Sequence, residues 1–322
     1  MPRKSTHKPL AILHTEASLG WGGQEQRVFV EAQALRQRGH RLAFACDHRG
    51  ELHRRAHSQG FKINWQTRWL YQNPAAIITT GEATKQLLMQ RLGVPARQIF
   101  SIPTGVDLTE FIPQEKNREL LDRIKIPPEA FVFGSVAVLR SWKGHLYLLE
   151  AFQKLIAEGV RAYLLLVGEG PYRVVIQEKI TQLGLKPWVH LAGFRDQVAP
   201  WFALMDVVVL ASYANEGVPQ SLLQAMAMAR PVIGTTVGGI PEVVISGETG
   251  LLAPPRDPSS LAQVLTRLMT DPDLRRDLGR RGRELVVERF SLEQMAAEIE
   301  AVYEVLQRRR AGEGRTKISV QP

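Results

Sequence analysis

The chain has 322 residues, enough for two domains, and its net charge is +9. Its 44% hydrophobic and 23% charged content is that of an ordinary soluble globular protein. The single cysteine, Cys46, excludes intrachain disulfides and fits a reducing compartment. Leu10–Leu13 is too short an apolar run for a signal peptide and no later run approaches a membrane span, so a cytoplasmic location is expected.

The positive charge is unevenly distributed along the chain. Residues 1–112 carry 15 Lys and Arg against 8 Asp and Glu, whereas residues 308–322 carry 5 against 1. Binding to nucleic acid is one interpretation, but no recognisable nucleic-acid module accompanies the charge. Peripheral contact with an anionic membrane surface or an acidic acceptor is favoured, and a simple role in solubility stays open.

The first predicted elements surround a glycine-rich loop. Leu10–Thr15 is typical of a strand, and Gln24–Arg38 of an amphipathic helix that Gly39 ends. The loop between them contains Gly22 and Gly23. Such a loop commonly places a phosphate over the helix N-terminus, although the same glycines also permit a tight turn.

The rest of the first domain is predicted to be short. Further strands are predicted at Arg41–Cys46, Phe61–Asn64, Ala75–Thr79 and Ile99–Pro103, and helices at Glu51–Gln59 and Glu82–Arg91. Only Trp65–Pro74 separates the strand Phe61–Asn64 from the strand Ala75–Thr79, whereas a parallel crossover needs a dozen or more residues. We therefore predict an abridged first domain over residues 1–112. His14, at the end of the first strand, either faces a cleft or is a plain strand-end residue.

Residues 113–290 are predicted to form a complete second α/β domain. Its strands are predicted at Phe131–Val138, Ala162–Val167, Trp188–Leu191, Val207–Leu210, Pro231–Thr235 and near Leu251. Its helices are predicted at His145–Gly159, Tyr172–Leu183, Val198–Met205, Gln220–Ala229, Pro258–Thr270 and Asp273–Val287. The amphipathic helix Leu292–Arg310 either crosses back to the first domain or packs in the second. Residues 311–322 are too polar to fold alone.

Two cations stand at the end of the first strand of this second domain. Arg140 and Lys143 precede the helix that begins at His145. This arrangement suits a diphosphate, which arginine binds as a planar fork and lysine as a point charge. The alternative interpretation is a solvated turn.

A carboxylate follows the fourth strand of the same domain. Val207–Leu210 is a β-branched apolar run, and Ser212–Gly217 is the polar loop after it. The loop therefore lies at the carboxyl end of a parallel strand, where open α/β sheets bind ligands. Glu216 stands in this loop beside the amides of Gly217 and Val218, which can bind an anion or a sugar hydroxyl. Because the loop is not core, we expect loss of Glu216 to reduce activity far more than stability.

A Leu-Leu-x-Ala-Met-Ala helix and a Gly-Gly-Ile-Pro-Glu turn follow the segment Glu216-Gly217-Val218-Pro219. This stretch resembles the donor site of retaining GT-B glycosyltransferases of group 1 (glycosyltransferase family 4). The family's second glutamate falls at Gln224, which can still bind a ribose diol but without charge assistance. The resemblance implies that Glu216 contacts the donor sugar, and it implies catalytic roles for Glu216, Arg140 and Lys143. The donor-binding set that it implies is Gly22, Gly23, Arg140, Lys143, Gly193, Phe194, Glu216, Gly217, Val218, Pro219, Gln220 and Gln224.

The resemblance implies an α/β fold of the GT-B type, with two Rossmann-like domains facing a cleft, and transfer of a sugar from a nucleotide-diphosphate sugar to an acceptor hydroxyl with retention. We expect no cofactor and no metal, because Asp271-Pro272-Asp273 is typical of a break between helices. Charge on the leaving diphosphate then falls to Arg140, Lys143 and a helix N-terminus. In the family's usual account the leaving phosphate takes the acceptor proton.

The acceptor in bacterial relatives is most often a lipid-linked glycan, a lipopolysaccharide core or a capsule precursor, which suits the basic first domain. The uncovered sheet edge of an abridged domain favours a homodimer, and no nucleic-acid partner is expected. A GT-B epimerase or phosphorylase is an alternative, although the sequence has no pyridoxal-lysine context and no epimerase signature. The other alternative is a nucleotide-sugar-binding remnant without activity.

Overall fold

A computed structural model describes residues 9–16, 23–46, 50–63, 76–92, 94–214 and 216–310. Gly22, the connection Trp65–Pro74 and the predicted disordered tail lie outside these ranges. The chain divides into two compact units: residues 1–80, 85–105 and 292–322 form the first, and residues 81–84 and 106–291 form the second. The described residues contain no helix long and apolar enough to span a bilayer.

The elements follow the predicted order closely. The strands are β1 (Ala11–Glu16), β2 (Arg41–Cys46), β3 (Lys62–Ile63), β4 (Ile77–Thr79), β5 (Ile99–Ser101), β6 (Phe131–Val136), β7 (Ala162–Val167), β8 (Val189–Gly193), β9 (Val207–Val209), β10 (Val232–Thr235) and β11 (Leu251–Ala253). The helices are α1 (Gly23–Gln37), α2 (Glu51–Ser58), α3 (Glu82–Leu92), α4 (Arg118–Arg123), α5 (His145–Ala157), α6 (Arg173–Gln182), α7 (Ala199–Phe202), α8 (Gln220–Ala227), α9 (Pro258–Thr270), α10 (Pro272–Arg289) and α11 (Leu292–Arg310).

The first unit is built on parallel strands. Among the described residues, β1, β2 and β3 form one sheet in that order, and β4 pairs with β5 in a second. The apolar faces of α1 and α2 cover the three-stranded sheet, and their core includes Phe29, Phe44 and Phe61. These rings pack edge-on or tilted at centroid distances of 5.0–6.5 Å, a favourable aromatic geometry.

The last helix, α11, packs on the first unit. Met295, Ile299 and Val302 are buried in the same core as the first-unit aromatics. Glu300 on this helix accepts hydrogen bonds from Arg38 and, at 2.7 Å, from Nε2 of His40. The His40 Nδ1 accepts from the Leu10 amide at 3.2 Å, which leaves the proton on Nε2 for Glu300. Apolar and polar contacts together therefore fix α11 to the chain around α1.

The second unit is a doubly wound sheet of six parallel strands in the order β11-β10-β9-β6-β7-β8. If these strands are numbered 1 to 6 in chain order and the sheet is read from β8 to β11, the order is 3-2-1-4-5-6, that of the dinucleotide-binding Rossmann fold. Helices cover both faces, since Phe133 lies in one core and Val132, its neighbour in β6, lies in the other. Burial on both faces explains the nearly continuous apolar strands. The strand order reverses between β6 and β9, which defines a switch point there.

The boundary between the units differs from the predicted one after residue 112. The second unit resumes at Val106, whose amide donates to the carbonyl of Phe290 at 2.8 Å. Val106 and Phe111 are both buried in a core of the second unit. Burial of these two apolar side chains therefore places residues 106–112 in the second unit.

Candidate active site

The loop after β6 carries the two predicted phosphate ligands. Arg140 is exposed, and its guanidinium lies 5.1 Å from the ring centroid of Trp142. Lys143 ends a 3-10 turn, and Gly144 follows with φ of 72°. A Cβ at Gly144 would lie 1.8 Å from the carbonyl oxygen of Ala211. Only glycine therefore allows this loop to approach the chain after β9 so closely.

Lys143 and Glu216 form the centre of the site. Lys143 Nζ donates to Oε1 of Glu216 at 2.6 Å, and the hydroxyl of Ser212 donates to the same oxygen at 2.6 Å. The side chains are 20% and 5% exposed for Lys143 and Glu216. A charge pair so removed from water holds both groups in a fixed geometry. The expectation that Glu216 lies on a loop outside the core is wrong for its side chain, because the carboxylate is buried by these partners.

The turn after β10 holds the backbone of the Glu216 loop. The Gly239 amide donates to the Glu216 carbonyl at 3.2 Å. Gly238 has φ of 55°, and a Cβ there would lie 2.0 Å from the same carbonyl oxygen. Thr235 donates its hydroxyl to the carbonyl of Ser212. The loops after β6, β9 and β10 thus meet at Glu216, at the carboxyl edge of the sheet.

The predicted donor residues after Glu216 lead into α8. Pro219 is the N-cap of α8 and not its first residue, and no side chain caps this helix end. Val218 is buried, whereas Gln220 and Gln224 are half-buried and lie one turn apart on α8. The amides at the start of α8 carry the partial positive charge of a helix N-terminus, which favours an anion.

The remaining predicted donor residues belong to other parts of the chain. Gly193 ends β8 with φ of 75°, and Phe194 after it is 50% exposed. In the sheet, β7 separates this turn from β6. Gly23 is the first residue of α1 in the first unit, and Gly22 lies outside the described residues.

The predicted helix break at residues 271–273 is confirmed. Asp271 is the N-cap of α10, and its carboxylate accepts from the Leu274 amide at 2.9 Å. Among the described residues no group of His, Cys, Asp and Glu side chains could hold a metal ion.

Glu242, the last residue of the Gly-Gly-Ile-Pro-Glu turn, has a role that the sequence did not indicate. Its carboxylate accepts from the amides of Glu82 and Ala83 at 2.9 and 2.8 Å. Glu82 and Ala83 belong to the second unit, as Glu242 does. The carboxylate therefore satisfies two backbone amides within this unit.

His145 was also missed as part of the site. Burial and, to a smaller extent, the positive charge of Lys143 lower the pKa of His145 to about 4, against a hydrogen bond to the backbone of Arg140. The ring is therefore neutral at pH 7 and adds no charge beside the two cations. Its position directly after the Lys143-Gly144 turn was the one feature of the sequence that could have placed His145 near the two cations.

A second group of buried titratable side chains lies in the first unit. Glu31 lies 3.9 Å from Nδ1 of His14 and 3.7 Å from Nε of Arg27, which also donates to Thr104 at 3.1 Å. Burial and, to a smaller extent, Arg27 lower the pKa of His14 to about 4. Burial raises the pKa of Glu31 to about 7, although Arg27 acts in the opposite direction. Burial also raises the pKa of Tyr303 on α11, and Glu31 adds to that rise. His14 is thus buried among charged groups of its own unit.

Two family models match the chain. Residues 130–271 match "Glycosyl transferases group 1", and residues 52–110 match "Glycosyltransferase Family 4". The crystal structure of HepE from Anabaena in complex with UDP-glucose is similar with a TM-score of 0.82 at 18% identity, over 92% of this chain and 99% of that chain. The chain therefore has the GT-B fold, as predicted.

Curated relatives are more similar in sequence but longer. The N-acetyl-alpha-D-glucosaminyl L-malate synthase of Bacillus anthracis is 39% identical over 156 residues, which is 48% of this chain and 40% of that protein. The lipopolysaccharide core biosynthesis glycosyltransferase LpsE of Rhizobium meliloti is 33% identical over 175 residues, which is 54% of this chain and 50% of that protein. The chain spans about half the length of these relatives.

If Arg140 and Lys143 bind a diphosphate, as the sequence predicts, removing either side chain should weaken the binding of UDP, which serves here as a probe. We expect Arg140→Gln to weaken it about tenfold and to leave uridine binding unchanged, because a charge-assisted hydrogen bond contributes ~1.5–3 kcal/mol. Lys143→Gln should likewise weaken the binding of UDP more than the binding of uridine. Isothermal titration calorimetry with both ligands measures this. Arg276→Gln on the exposed side of α10 is the charge-matched control, and equal weakening of UDP and uridine would remove Arg140 from the phosphate site.

Gln224→Glu restores the carboxylate of the family pattern. If this side chain faces the ribose, UDP should bind equally or up to about tenfold more tightly, since charge assistance roughly doubles the strength of such a bond. Uridine should follow the same trend because it contains the ribose. Weaker binding of both ligands would show that the site is organised around an amide.

Proposed function

We propose that this chain is a retaining glycosyltransferase that moves a sugar from a nucleotide-diphosphate sugar to an acceptor hydroxyl. The observation that carries the proposal is the Lys143–Glu216 pair with the Ser212 hydroxyl, at the switch point of a doubly wound sheet. Ligands of such sheets bind in the crevice at this point. The structure of HepE with UDP-glucose supports the class of donor.

In this reaction Lys143 and Glu216 would have different roles. Arg140, Lys143 and the N-terminus of α8 supply the positive charge that stabilises a leaving diphosphate. Glu216 orients the sugar by accepting hydrogen bonds from its hydroxyls. When a diphosphate arrives, Lys143 can share its three donor hydrogens between the phosphate and Glu216. The reaction proposed needs no metal ion and no cofactor.

We propose a role in bacterial cell-surface glycan synthesis, with a lipid-linked or lipopolysaccharide-type acceptor. The similarity to LpsE supports this class, and the excess of Lys and Arg in residues 1–112 suits peripheral contact with an anionic membrane. A shortened first domain and a homodimer through it remain part of the proposal.

Titration calorimetry against UDP, UDP-glucose and other nucleotide sugars, followed by a transfer assay with the tightest donor, tests the proposal. We expect near-normal donor binding to the second unit and weak transfer by the isolated monomer. Binding without any turnover, also in the presence of acceptor membranes, would favour the nucleotide-sugar-binding remnant. Absence of binding to every nucleotide would overturn both, and robust turnover by a monomer would overturn the shortened acceptor side.

A further inference from the structure

The turn between β11 and α9 contains a residue in an unusual backbone conformation. Arg256 has φ of 59°, in the left-handed region that favours glycine. The next residue, Asp257, caps α9 through the amides of Ser259 and Ser260. Such a conformation persists in a side-chain-bearing residue where surrounding contacts hold it in place.

The contact that Arg256 makes is with the loop of Glu216. Its guanidinium carbon lies 4.3 Å from the ring centroid of Tyr213, well within cation–π range. Within the described part of the chain the Arg256 guanidinium forms no ion pair. The arginine side chain therefore reaches from a strained turn to the aromatic ring of a neighbouring loop.

Tyr213 is also held from two other directions. The ring of Tyr147 on α5 meets it at 5.8 Å and 90°, which is an edge-to-face contact. The Tyr213 amide donates to the carbonyl of Trp142 at 2.9 Å. Tyr213 directly follows Ser212, whose hydroxyl donates to Glu216. Tyr213 therefore links the aromatic contacts to the Ser212 hydroxyl that donates to the carboxylate.

We propose that Arg256 is a positioning residue for Glu216, acting through Tyr213. Arg256 and Tyr147 both contact the Tyr213 ring, and this clamp keeps Ser212 and Tyr213 in the conformation that places the Ser212 hydroxyl against the Glu216 carboxylate. The assignment of Glu216 to the donor sugar rests on the proposed function, whereas the clamp itself rests on the contacts of Tyr213. The strained turn is thereby explained, because glycine at this position would satisfy the backbone but lose the clamp.

Arg256→Gly tests the clamp because it relieves the backbone strain and removes the guanidinium. Lys125→Gly is the matched control, since Lys125 also has φ of 59° and is exposed after α4. Both variants should melt at or above the wild-type temperature. Hydrogen exchange of the free protein should speed up about two- to fivefold at the Tyr213 amide in Arg256→Gly alone, the range expected for loss of an exposed cation–π contact. Tyr213→Leu should reproduce the effect and Tyr213→Phe should not.

Calorimetry with UDP and UDP-glucose then connects the clamp to the site. In Arg256→Gly the dissociation constant of UDP-glucose should rise about two- to fivefold, whereas that of UDP should not change. Unchanged exchange at Tyr213, or equal weakening of both ligands, would overturn the proposal. If the wild type binds neither ligand, the proposed function fails, and the exchange data still decide whether Arg256 clamps the loop.

Discussion

Glu216→Gln is expected to lower sugar transfer at least tenfold. A hydrogen bond from a sugar hydroxyl to a charged acceptor contributes ~1.5–3 kcal/mol, which the neutral amide does not provide. Glutamine is preferable to alanine because its amide oxygen can still accept from the Ser212 hydroxyl. Steady-state kinetics with the donor that the wild type uses measures the effect.

The structure adds a stability effect to this prediction. Lys143 and Glu216 are largely buried, so the variant leaves the Lys143 ammonium without its charged partner. We expect a loss of about 1–3 kcal/mol of unfolding free energy. Ser212→Ala is the control, because it removes one hydrogen bond to Glu216 and keeps the Lys143–Glu216 pair. Unchanged turnover of Glu216→Gln would end the assignment of this carboxylate to the donor sugar.

The regular elements could be predicted because their signals are local. β2, β7, α9 and α11 have the predicted bounds. Alternating or continuous apolar runs set the strands, and Pro258 after the Asp257 cap sets the start of α9. Strand ends were less predictable: β6 was predicted to Val138 but ends at Val136, since neighbouring strands decide where a ladder stops.

The candidate site could be predicted only in part, because its contacts join distant residues. The positions of Arg140, Lys143 and Glu216 at strand ends followed from the sequence. The pairing of Lys143 with Glu216, 73 residues apart, depends on β6 lying next to β9. Strand order in a sheet is a property of the whole domain. The burial of the Glu216 carboxylate could not be predicted for the same reason.

The buried side chains of His14 and Glu31 in the first unit should make the stability of the protein depend on pH. Glu31 has a pKa of about 7 in the folded protein against a usual 4.5, because it is buried. Between these values the folded state holds a proton that the unfolded state has lost, so the free energy of unfolding falls as pH rises from 4.5 to 7. His14 does the opposite: burial lowers its pKa from 6.5 to about 4, so stability rises with pH over that range.

The two effects should cancel in the wild type between about pH 4.5 and 6.5. Each pKa differs from its usual value by about 2.5, which corresponds to roughly 3 kcal/mol. Between these pH values both groups are uncharged in the folded protein, so neither places a charge beside the other. Each slope should therefore survive removal of the other group. Single substitutions should expose the two slopes separately.

We expect Glu31→Gln to gain stability relative to the wild type as pH rises from 4.5 to 7, by up to about 3 kcal/mol, because the proton-linked loss at Glu31 is gone. His14→Gln should lose stability relative to the wild type between pH 4 and 6.5 by a similar amount. Urea unfolding across pH 4–7.5 measures both differences, and subtraction of the wild-type curve removes the titration of all other carboxylates. Curves parallel to the wild type would show that water reaches His14 and Glu31 and that burial does not govern their protonation.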